Sequence, residues 1–261
     1  MRFDILTIFP DLLTSPLQEG IIRRAIQDDK IEVAIHNIRD FATDKHAMTD
    51  DRPFGGGEGM VMKPEPIAAA LAKVKDEGGA GRVVFLSPQG KTFTQKKAEE
   101  LAQLDHLVLL CGRYEGVDER VIDHYVDEEI SIGDYILTGG ELAAMVMIDA
   151  ITRLQPGVLG CADSVGQDTF SRGMLKHPQY TRPREFQGVE VPVELLSGDH
   201  ALVRDWRLVA AVRQTLGKRP ELLAQVDFTP VEKKILVKAG LWLEIERVLT
   251  DQDLSSVESG G

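Results

Sequence analysis

The sequence predicts an α/β fold with a mostly parallel sheet, followed by a smaller helical domain. Short apolar segments alternate with amphipathic ones as far as about residue 160, and only helix-period patterns follow. A chain of 261 residues is long enough for one large domain or two modest ones. We therefore expect a first domain over residues 1–160, a flexible linker or lid over 161–172, and a helical domain over 173–261 with a frayed tail.

Strand-like and helix-like segments alternate through the first part. The expected strands are "RFDILTIF", "IEVAIHNI", "RVVFLS", "HLVLLCG" and "DEEISIG". The expected helices are "PLQEGIIRRAIQDD", "PEPIAAALAKVKDEG", "TQKKAEELAQL", "VDERVIDHY" and "GGELAAMVMIDAITRL". The second of these helices has proline in its first turn and glycine after its end, the usual start and stop signals. A loop containing "DDRPFGGGEGM" is expected from Arg39 to Lys63.

Beyond residue 156 the pattern changes. "GCADSVGQDTFSR" is rich in Gly, Ser and Asp without periodicity, which predicts the linker or lid. "DHALVRDWRLVAAVRQTLG" has apolar residues at helical spacing, and "TPVEKKILVKAGLWLEIERVLT" predicts a further helical region. The tail "DQDLSSVESGG" is expected to fray.

Charge is distributed unevenly along the chain. The net charge of −12 argues against nucleic acid as a partner, but the distribution matters more than the sum. Residues 115–129 contain seven acids and one arginine, whereas 171–184 contain four bases and no acid, and 204–219 five bases and one acid. The later part of the chain can therefore present a surface to phosphates, although a solvated charged face is the ordinary alternative.

The sequence indicates a cytoplasmic protein without a membrane partner. No apolar run approaches the ~20 residues needed to cross a bilayer. The segment "MRFDILTIFPD" lacks the pattern of a signal peptide. Cys111 and Cys161 fit a reducing compartment, and neither has the neighbours expected of a metal or redox site.

Two familiar nucleotide motifs fail, and a different pattern replaces them. A dinucleotide fingerprint needs glycine at position 62, which is Met62, and a P-loop needs glycine at position 85, which is Phe85. Instead "LSPQG", "GRYEGVDE" and "IGDYILTGG" each follow a predicted strand. Ligands bind at the carboxyl ends of parallel strands, so three glycine-rich loops there predict a cleft for a flat heterocycle. Leu86, Ile136 and Leu137 can supply apolar walls, and Glu115 favours a cationic ligand.

Long motifs in these loops resemble those of bacterial tRNA (guanine-N1)-methyltransferases, in the SPOUT class. The matching segments are "LSPQG", "LLCGRYEGVDERV", "SIGDYILTGGELAAMVMIDAITRLQPGVLG", "DTF" and "HPQYTRP", and the resemblance runs from "FDILTIFP" to "RPELL". It implies a trefoil-knotted first domain, an obligate homodimer with a site shared across the interface, S-adenosylmethionine as cofactor, and tRNA rather than DNA as partner. It also implies these cofactor-binding residues: Leu86, Ser87, Pro88, Gly112, Tyr114, Glu115, Gly116, Ile132, Gly133, Asp134, Tyr135, Ile136, Leu137, Gly139 and Gly140.

The resemblance implies two catalytic residues, Asp168 in "GQDTF" and Arg153 in "AITRLQP". Guanine N1 carries a proton at neutral pH, so its methylation needs a general base at N1 and a positive group near O6. From the residues alone, Asp168 is more simply a solvated or helix-capping carboxylate in a polar loop. Arg153 in the same way favours the end of a long helix. The resemblance is what assigns both roles.

The implied reaction is methylation of N1 of the guanine at tRNA position 37, next to the anticodon. His177, Tyr180, Arg182 and Arg184 in "HPQYTRPRE" are the expected RNA contacts, since arginines pair with phosphates and aromatic rings hold unstacked bases. A divalent ion such as Mg²⁺ assists in this family, and the sequence contains no cluster of metal ligands that would locate it. Two alternatives stay open: a SPOUT methylase with another RNA target, and a non-catalytic RNA-binding dimer.

Overall fold

The structure is a computed structural model that describes residues 1–160, 169–170 and 172–258, with side chains as far as residue 250. The chain divides into two compact units, Met1–Ala162 and Asp163–Gly261. The division falls at the predicted linker, and the roles assigned to the two domains stay predictions. None of the helices in the described segments is long and apolar enough to cross a membrane.

The first unit is built on a five-stranded parallel sheet. In chain order the strands of the first unit are β1 (Arg2–Thr7), β2 (Glu32–Asn37), β3 (Asp50–Asp51), β4 (Val61–Met62), β5 (Arg82–Thr92), β6 (His106–Cys111) and β7 (Glu128–Ser131). The sheet has the order β2-β1-β6-β5-β7 with every pair parallel, and β3 and β4 form a separate antiparallel pair. The predicted α/β class with a parallel sheet is confirmed.

Alternation of apolar residues gives the sheet two buried faces. Phe3 and Ile5 of β1 pack into one core, whereas Leu6, of the same strand, packs into the other. The strands β5 and β6 alternate in the same way. Successive side chains on a strand point to opposite faces, so a strand that is apolar throughout must be covered on both sides.

Six helices provide that cover. They are α1 (Asp11–Leu17), α2 (Gly20–Gln27), α3 (Pro64–Gly78), α4 (Gln95–Leu101), α5 (Glu119–Tyr125) and α6 (Glu141–Thr152). Helices α1, α2, α4 and α6 pack on the first face, while α3 and α5 pack on the second. Of these, α6 matters most for the site, because its first residues border the carboxyl edge of the sheet.

Three sequence predictions need correction in the first unit. The helix predicted over "PLQEGIIRRAIQDD" is two helices, because Gly20 has a φ of +60° and turns the chain between them. The loop predicted from Arg39 to Lys63 contains a 3-10 turn and the β3–β4 pair. The segment "LSPQG" is not a loop after a strand: β5 continues to Thr92.

The second unit is mainly helical. In chain order it contains β8 (Glu185–Phe186), β9 (Val189–Glu190), α7 (Val193–Leu196), α8 (His200–Lys218), α9 (Pro230–Lys238) and α10 (Trp242–Glu258). Helix α8 begins after Asp199, whose carboxylate caps its first turn, and α9 begins after a capping box formed by Thr229 and Glu232. The β8–β9 hairpin is an addition to the predicted helical pattern, and α10 extends into the segment that the sequence predicts to fray.

A charged cluster lies at the centre of β1, within the first unit. The side chain of Asp4 is fully buried. It accepts hydrogen bonds from Arg2 Nε (2.6 Å) and lies 2.5 Å from His36 Nε2 and 2.7 Å from His106 Nε2. Burial raises the pKa of Asp4, but the hydrogen bonds from His36, Arg2 and His106 outweigh it and hold the pKa well below its ordinary value. One carboxylate thus joins three adjacent strands.

We expect Asp4→Ala to lower the free energy of unfolding by about 3–5 kcal/mol, because it leaves Arg2 without its buried counter-charge. Urea denaturation measures the change. Glu32→Ala is the matched control, since Glu32 pairs with the same arginine but is exposed, and should cost less than about 1 kcal/mol. The folded-state pKa of Asp4 is depressed, so its contribution is complete above about pH 4 and declines as the pH falls further. Equal losses in both variants, independent of pH, would contradict this.

Candidate functional site

A cavity of about 380 Å³ lies at the carboxyl ends of β6 and β7, beside the middle of β5. Three chain segments line it: residues 85–89, 112–117 and 129–140. Every residue predicted to bind a cofactor lines this cavity except Asp134, which is exposed on the third segment. The cavity therefore brings the three glycine-rich segments together, while the individual binding roles stay predictions.

The second and third segments touch through their backbones. Gly140 N–H donates to the carbonyl of Gly112 (3.0 Å), and a Cβ on Gly140 would lie 2.8 Å from Cys111 Cα. Both neighbouring atoms belong to rigid backbone, so a larger residue has no room here. Helix α6 starts at the next residue, so this contact also determines where that helix begins.

The first segment is held inside β5. Leu86 and Lys91 both pair with Ile130 of β7, so Ser87, Pro88, Gln89 and Gly90 bulge out between two paired stretches. A Cβ on Gly90 would collide with the backbone of Glu129 and Ile130. A bulge anchored on both sides by strand pairing is a rigid wall for a ligand.

A buried polar cluster connects the third segment to the sheet. Glu141, almost fully buried, accepts hydrogen bonds from Thr7 Oγ1 (2.6 Å) and Arg113 Nε (3.2 Å), and its other oxygen lies 2.9 Å from Arg113 Nη2. Arg113 Nη1 also donates to the carbonyl of Thr138 (3.1 Å). The arginine passes so close to Gly139 that a Cβ there would collide with its Nε. Arg113 thereby links the second and third segments.

Sequence patterns alone do not reveal Arg113, Thr138 or Glu141 as site residues. "GGELAAM" is typical of a helix start, where an acid is ordinary, so Glu141 has a local explanation. Arg113 stands in a glycine-rich run and has no periodic partner. The one available signal is that a lone arginine and a lone glutamate border two loops predicted to meet.

The charges around the cavity favour a cation. Its lining includes Glu115, Glu119 and Glu129, whereas its one arginine, Arg113, is paired with Glu141. Ile136 is 82% exposed and lines the opening, and it supplies apolar surface. A ligand with a positive centre and a flat apolar part fits these properties.

The loop that precedes β4 supports the second segment. Glu115 N–H donates to the carbonyl of Met60 (2.9 Å), and Met62 N–H donates to the carbonyl of Gly116 (2.9 Å). A Cβ on Gly59 would lie 2.5 Å from the Glu115 side chain. The glycines of "GGGEGM" thus allow this loop to contact the wall of the cavity. They have this structural role although they do not form a dinucleotide-binding motif.

The two predicted catalytic residues do not join the cavity within the described residues. Asp168 lies outside the residues that the structure describes. Arg153 follows the last residue of α6, about 18 Å along the helix from the end that borders the cavity, at about 1.5 Å per residue. Just after it, Gln155 Nε2 donates to the carbonyl of Ala102, ahead of β6. Arg153 therefore lies at the amino edge of the sheet, opposite the cavity.

All four predicted RNA contacts lie in the second unit. The rings of His177 and Tyr180 each meet Trp206 edge-on, with 6.1 Å between centroids. Arg182 and Arg184 are exposed. Burial lowers the pKa of His177, and the positive charges of neighbouring basic side chains lower it further. His177 is therefore neutral at pH 7 and can hydrogen-bond a base without carrying charge.

No metal site is apparent in the part of the chain that the structure describes. Within residues 1–160, 169–170 and 172–258, no three His, Cys, Asp or Glu side chains come together as metal ligands do. The divalent ion implied by the resemblance stays a prediction.

A parallel α/β sheet with a cation-favouring cleft at its carboxyl edge defines a ligand-binding domain of the kind that holds cofactors. The sequence profile of the family described as tRNA (Guanine-1)-methyltransferase TrmD matches residues 1–225. The chain belongs to this family. The predicted family and the SPOUT-type α/β class are thereby confirmed, whereas the trefoil knot stays a prediction.

Relatives agree over nearly the whole chain. The tRNA (guanine-N(1)-)-methyltransferase of Citrifermentans bemidjiense is 53% identical over 91% of this chain and 96% of its own length. That of Desulforamulus reducens is 47% identical over 99% of this chain and 100% of its own length. The crystal structure of tRNA (m1G37) methyltransferase from Aquifex aeolicus has a TM-score of 0.70 at 42% identity and covers 89% of this chain and 99% of its own.

We expect Glu141→Gln to raise the dissociation constant for S-adenosylmethionine about tenfold without unfolding the protein, because it removes the charged partner that holds Arg113 against Thr138. Isothermal titration calorimetry measures the affinity and circular dichroism checks the fold. Glu119→Gln is the comparison: it removes an equal charge from the same cavity, but from an exposed side chain, and should weaken binding less than Glu141→Gln. If both variants bind S-adenosylmethionine equally well, Glu141 does not support the cleft by holding Arg113.

Proposed function

We propose that this protein transfers a methyl group from S-adenosylmethionine to N1 of guanine at tRNA position 37. The observation that carries the proposal is the match of the family profile to residues 1–225, together with relatives named for that activity at about half identity. The Aquifex aeolicus protein is named as an m1G37 methyltransferase, which supports position 37 as the site in the tRNA.

The cavity of the first unit is the proposed cofactor site. When bound, S-adenosylmethionine supplies a methyl group activated by a positive sulfur. The carboxylates of Glu115, Glu119 and Glu129 suit that charge, and Leu86, Ile136 and Leu137 suit the flat adenine. Glycine at positions 139 and 140 lets the third segment pack directly against Arg113 and Cys111, which shapes the wall of the cleft. These features support the fit of cofactor and cleft.

The proposed chemistry needs one proton removed and one charge stabilised. In the proposed reaction, the carboxylate of Asp168 would accept the N1 proton of guanine, while the bound cofactor would supply the activated methyl group. Negative charge developing at O6 is stabilised by the guanidinium of Arg153. Placement of the reactants in line contributes a large share of the rate, since the methyl donor is already activated.

The position of Arg153 supports a site shared between two subunits. It lies at the far end of α6 from the cavity of its own chain, beyond the reach of an arginine side chain. In the proposed reaction, a second copy of the chain therefore brings its Arg153 to that cavity. Leu142 and Val146, four residues apart on α6, are 59% and 47% exposed and offer an apolar surface for such a copy.

The second unit is the proposed tRNA-binding domain. Arg182 and Arg184 are exposed and suited to phosphates, and Tyr180 is 48% exposed beside Trp206. Bases in single-stranded loops are typically held by such aromatic surfaces and by neutral hydrogen-bonding groups such as His177.

Methyl transfer to two tRNA transcripts, with guanine or adenine at position 37, tests the proposed function. We expect labelling from radioactive S-adenosylmethionine in the guanine transcript alone. Asp168→Ala should slow the reaction at least about a hundredfold, the usual effect of losing a general base. Asp163→Ala, in the same segment, is the control and should retain activity. Equal labelling of both transcripts would point to another RNA target, and no labelling despite cofactor binding would favour a non-catalytic RNA-binding dimer.

Mixed dimers test the shared site. A subunit with Arg153→Ala is paired with one carrying Ile136→Arg, which adds a positive charge to the cleft that would hold a positively charged cofactor. Each homodimer should be inactive. In the mixed dimer, the intact cleft of one subunit meets the intact Arg153 of the other, so up to half the parent activity should return. A mixed dimer as inactive as its parents would exclude a site shared in this way.

A further inference from the structure

A second cavity, of about 510 Å³, lies wholly within the second unit. It is lined by residues 172–177, the first half of α8 and the first part of α9. Its volume falls in the range of about 300–1,000 Å³ typical of sites for small organic groups. None of its lining residues belongs to the proposed cofactor cleft.

The cavity combines an apolar floor with a basic rim. Met174, Leu208 and Ala211 are buried and form the floor. Three arginines line it against two carboxylates: Arg172 pairs with Glu232 (2.9 Å), and Arg204 pairs with Asp205 (3.3 Å). The third arginine, Arg207, makes no hydrogen bond or ion pair within residues 172–250.

Arg207 is thus available to an external anion. It is exposed at the rim, one residue after Trp206 on α8. His177 also lines the cavity and meets the Trp206 ring, so the cavity opens beside the aromatic cluster already assigned to RNA. A ligand with a flat apolar part and one negative charge would pack on the apolar floor and pair with Arg207 at the rim. Nucleotides have these two properties.

We propose that this cavity binds one unstacked nucleotide of the tRNA, other than the guanine that is methylated. Its base lies on the apolar floor, and its phosphate pairs with Arg207. The proposal rests on tRNA being the substrate, as proposed above. The proposed donor cleft is lined by a different set of residues, and we assign this cavity to a base other than the reacting guanine.

The proposal explains why the basic segments 171–184 and 204–219 meet around a cavity and not on a flat face. Proteins that read single-stranded RNA splay bases out of the stack and enclose them one at a time. A phosphate contact alone positions the RNA, whereas an enclosed base lets the protein distinguish one loop sequence from another. The cavity would therefore add selection among tRNAs.

The test fills the cavity and removes bases one at a time. Val231 and Val237 lie on α9 and are 64% and 59% exposed, but only Val231 lines the cavity. Val231→Trp should block it, and Val237→Trp is the matched control. The probes are anticodon stem-loop RNAs, intact or with one abasic nucleotide at each loop position in turn. Fluorescence anisotropy gives dissociation constants, and methyl transfer to intact tRNA is measured in parallel.

In the parent, one abasic position other than 37 should weaken binding at least about fivefold, the lower bound for losing one stacked base. Val231→Trp should weaken binding of intact RNA by a similar factor and abolish the effect of that abasic position. Val237→Trp should behave as the parent. Arg207→Gln keeps the test valid if Val231→Trp fails to fold: it should weaken binding and lower the salt dependence by about one ion.

Three results would overturn the proposal. Val231→Trp and Val237→Trp could bind intact RNA equally well, or no abasic position other than 37 could matter. In the third, Val231→Trp would weaken every RNA by the same factor, which would indicate an occupant other than a base. If the parent methylates tRNA in any of these cases, the proposed function stands and only this inference fails. If the parent neither binds nor methylates tRNA, both fail.

Discussion

The cleft depends on one backbone contact, between Gly140 and the end of β6. Gly140 donates to the carbonyl of Gly112 and leaves no space for a Cβ against Cys111. The contact sets the start of α6 and brings the second and third segments together. Arg113 then spans those segments with its hydrogen bond to Thr138, held by Glu141 and, through it, Thr7 of β1. Thr7 and Glu141 are buried, so separating them from each other or from Arg113 would be costly, which favours one arrangement of the loops.

Helix α6 separates Arg153 from the cleft of its own chain. It starts at the cleft and ends at the opposite edge of the sheet. Under the proposed function, the reaction needs a second copy for its cation, which makes activity dependent on the concentration of the protein.

The sequence predicts the sheet and the site segments well, because both depend on local patterns. Alternating apolar residues determine the buried strands, and glycines reveal close approaches, as at Gly139 and Gly140. Long-range polar pairs have no such signature. Glu141 and Thr7 are 134 positions apart, and Asp4 joins His36 and His106 from two other strands. The course of β5 through "LSPQG" depends on pairing with β7, which local propensity cannot show.

The central position of β1 has a consequence for how the first unit is made. Its neighbour β6 follows it in the chain by about a hundred residues, and Glu141 comes later still. Contacts between such distant parts of a chain form slowly, since long loops must close before any pairing stabilises them. During synthesis, the edge of β1 that later pairs with β6 therefore stays unpaired. An unpaired strand edge is prone to aggregation, which favours protection by chaperones. A cleft able to bind its ligand would then exist only after the contact between Glu141 and Thr7 has formed.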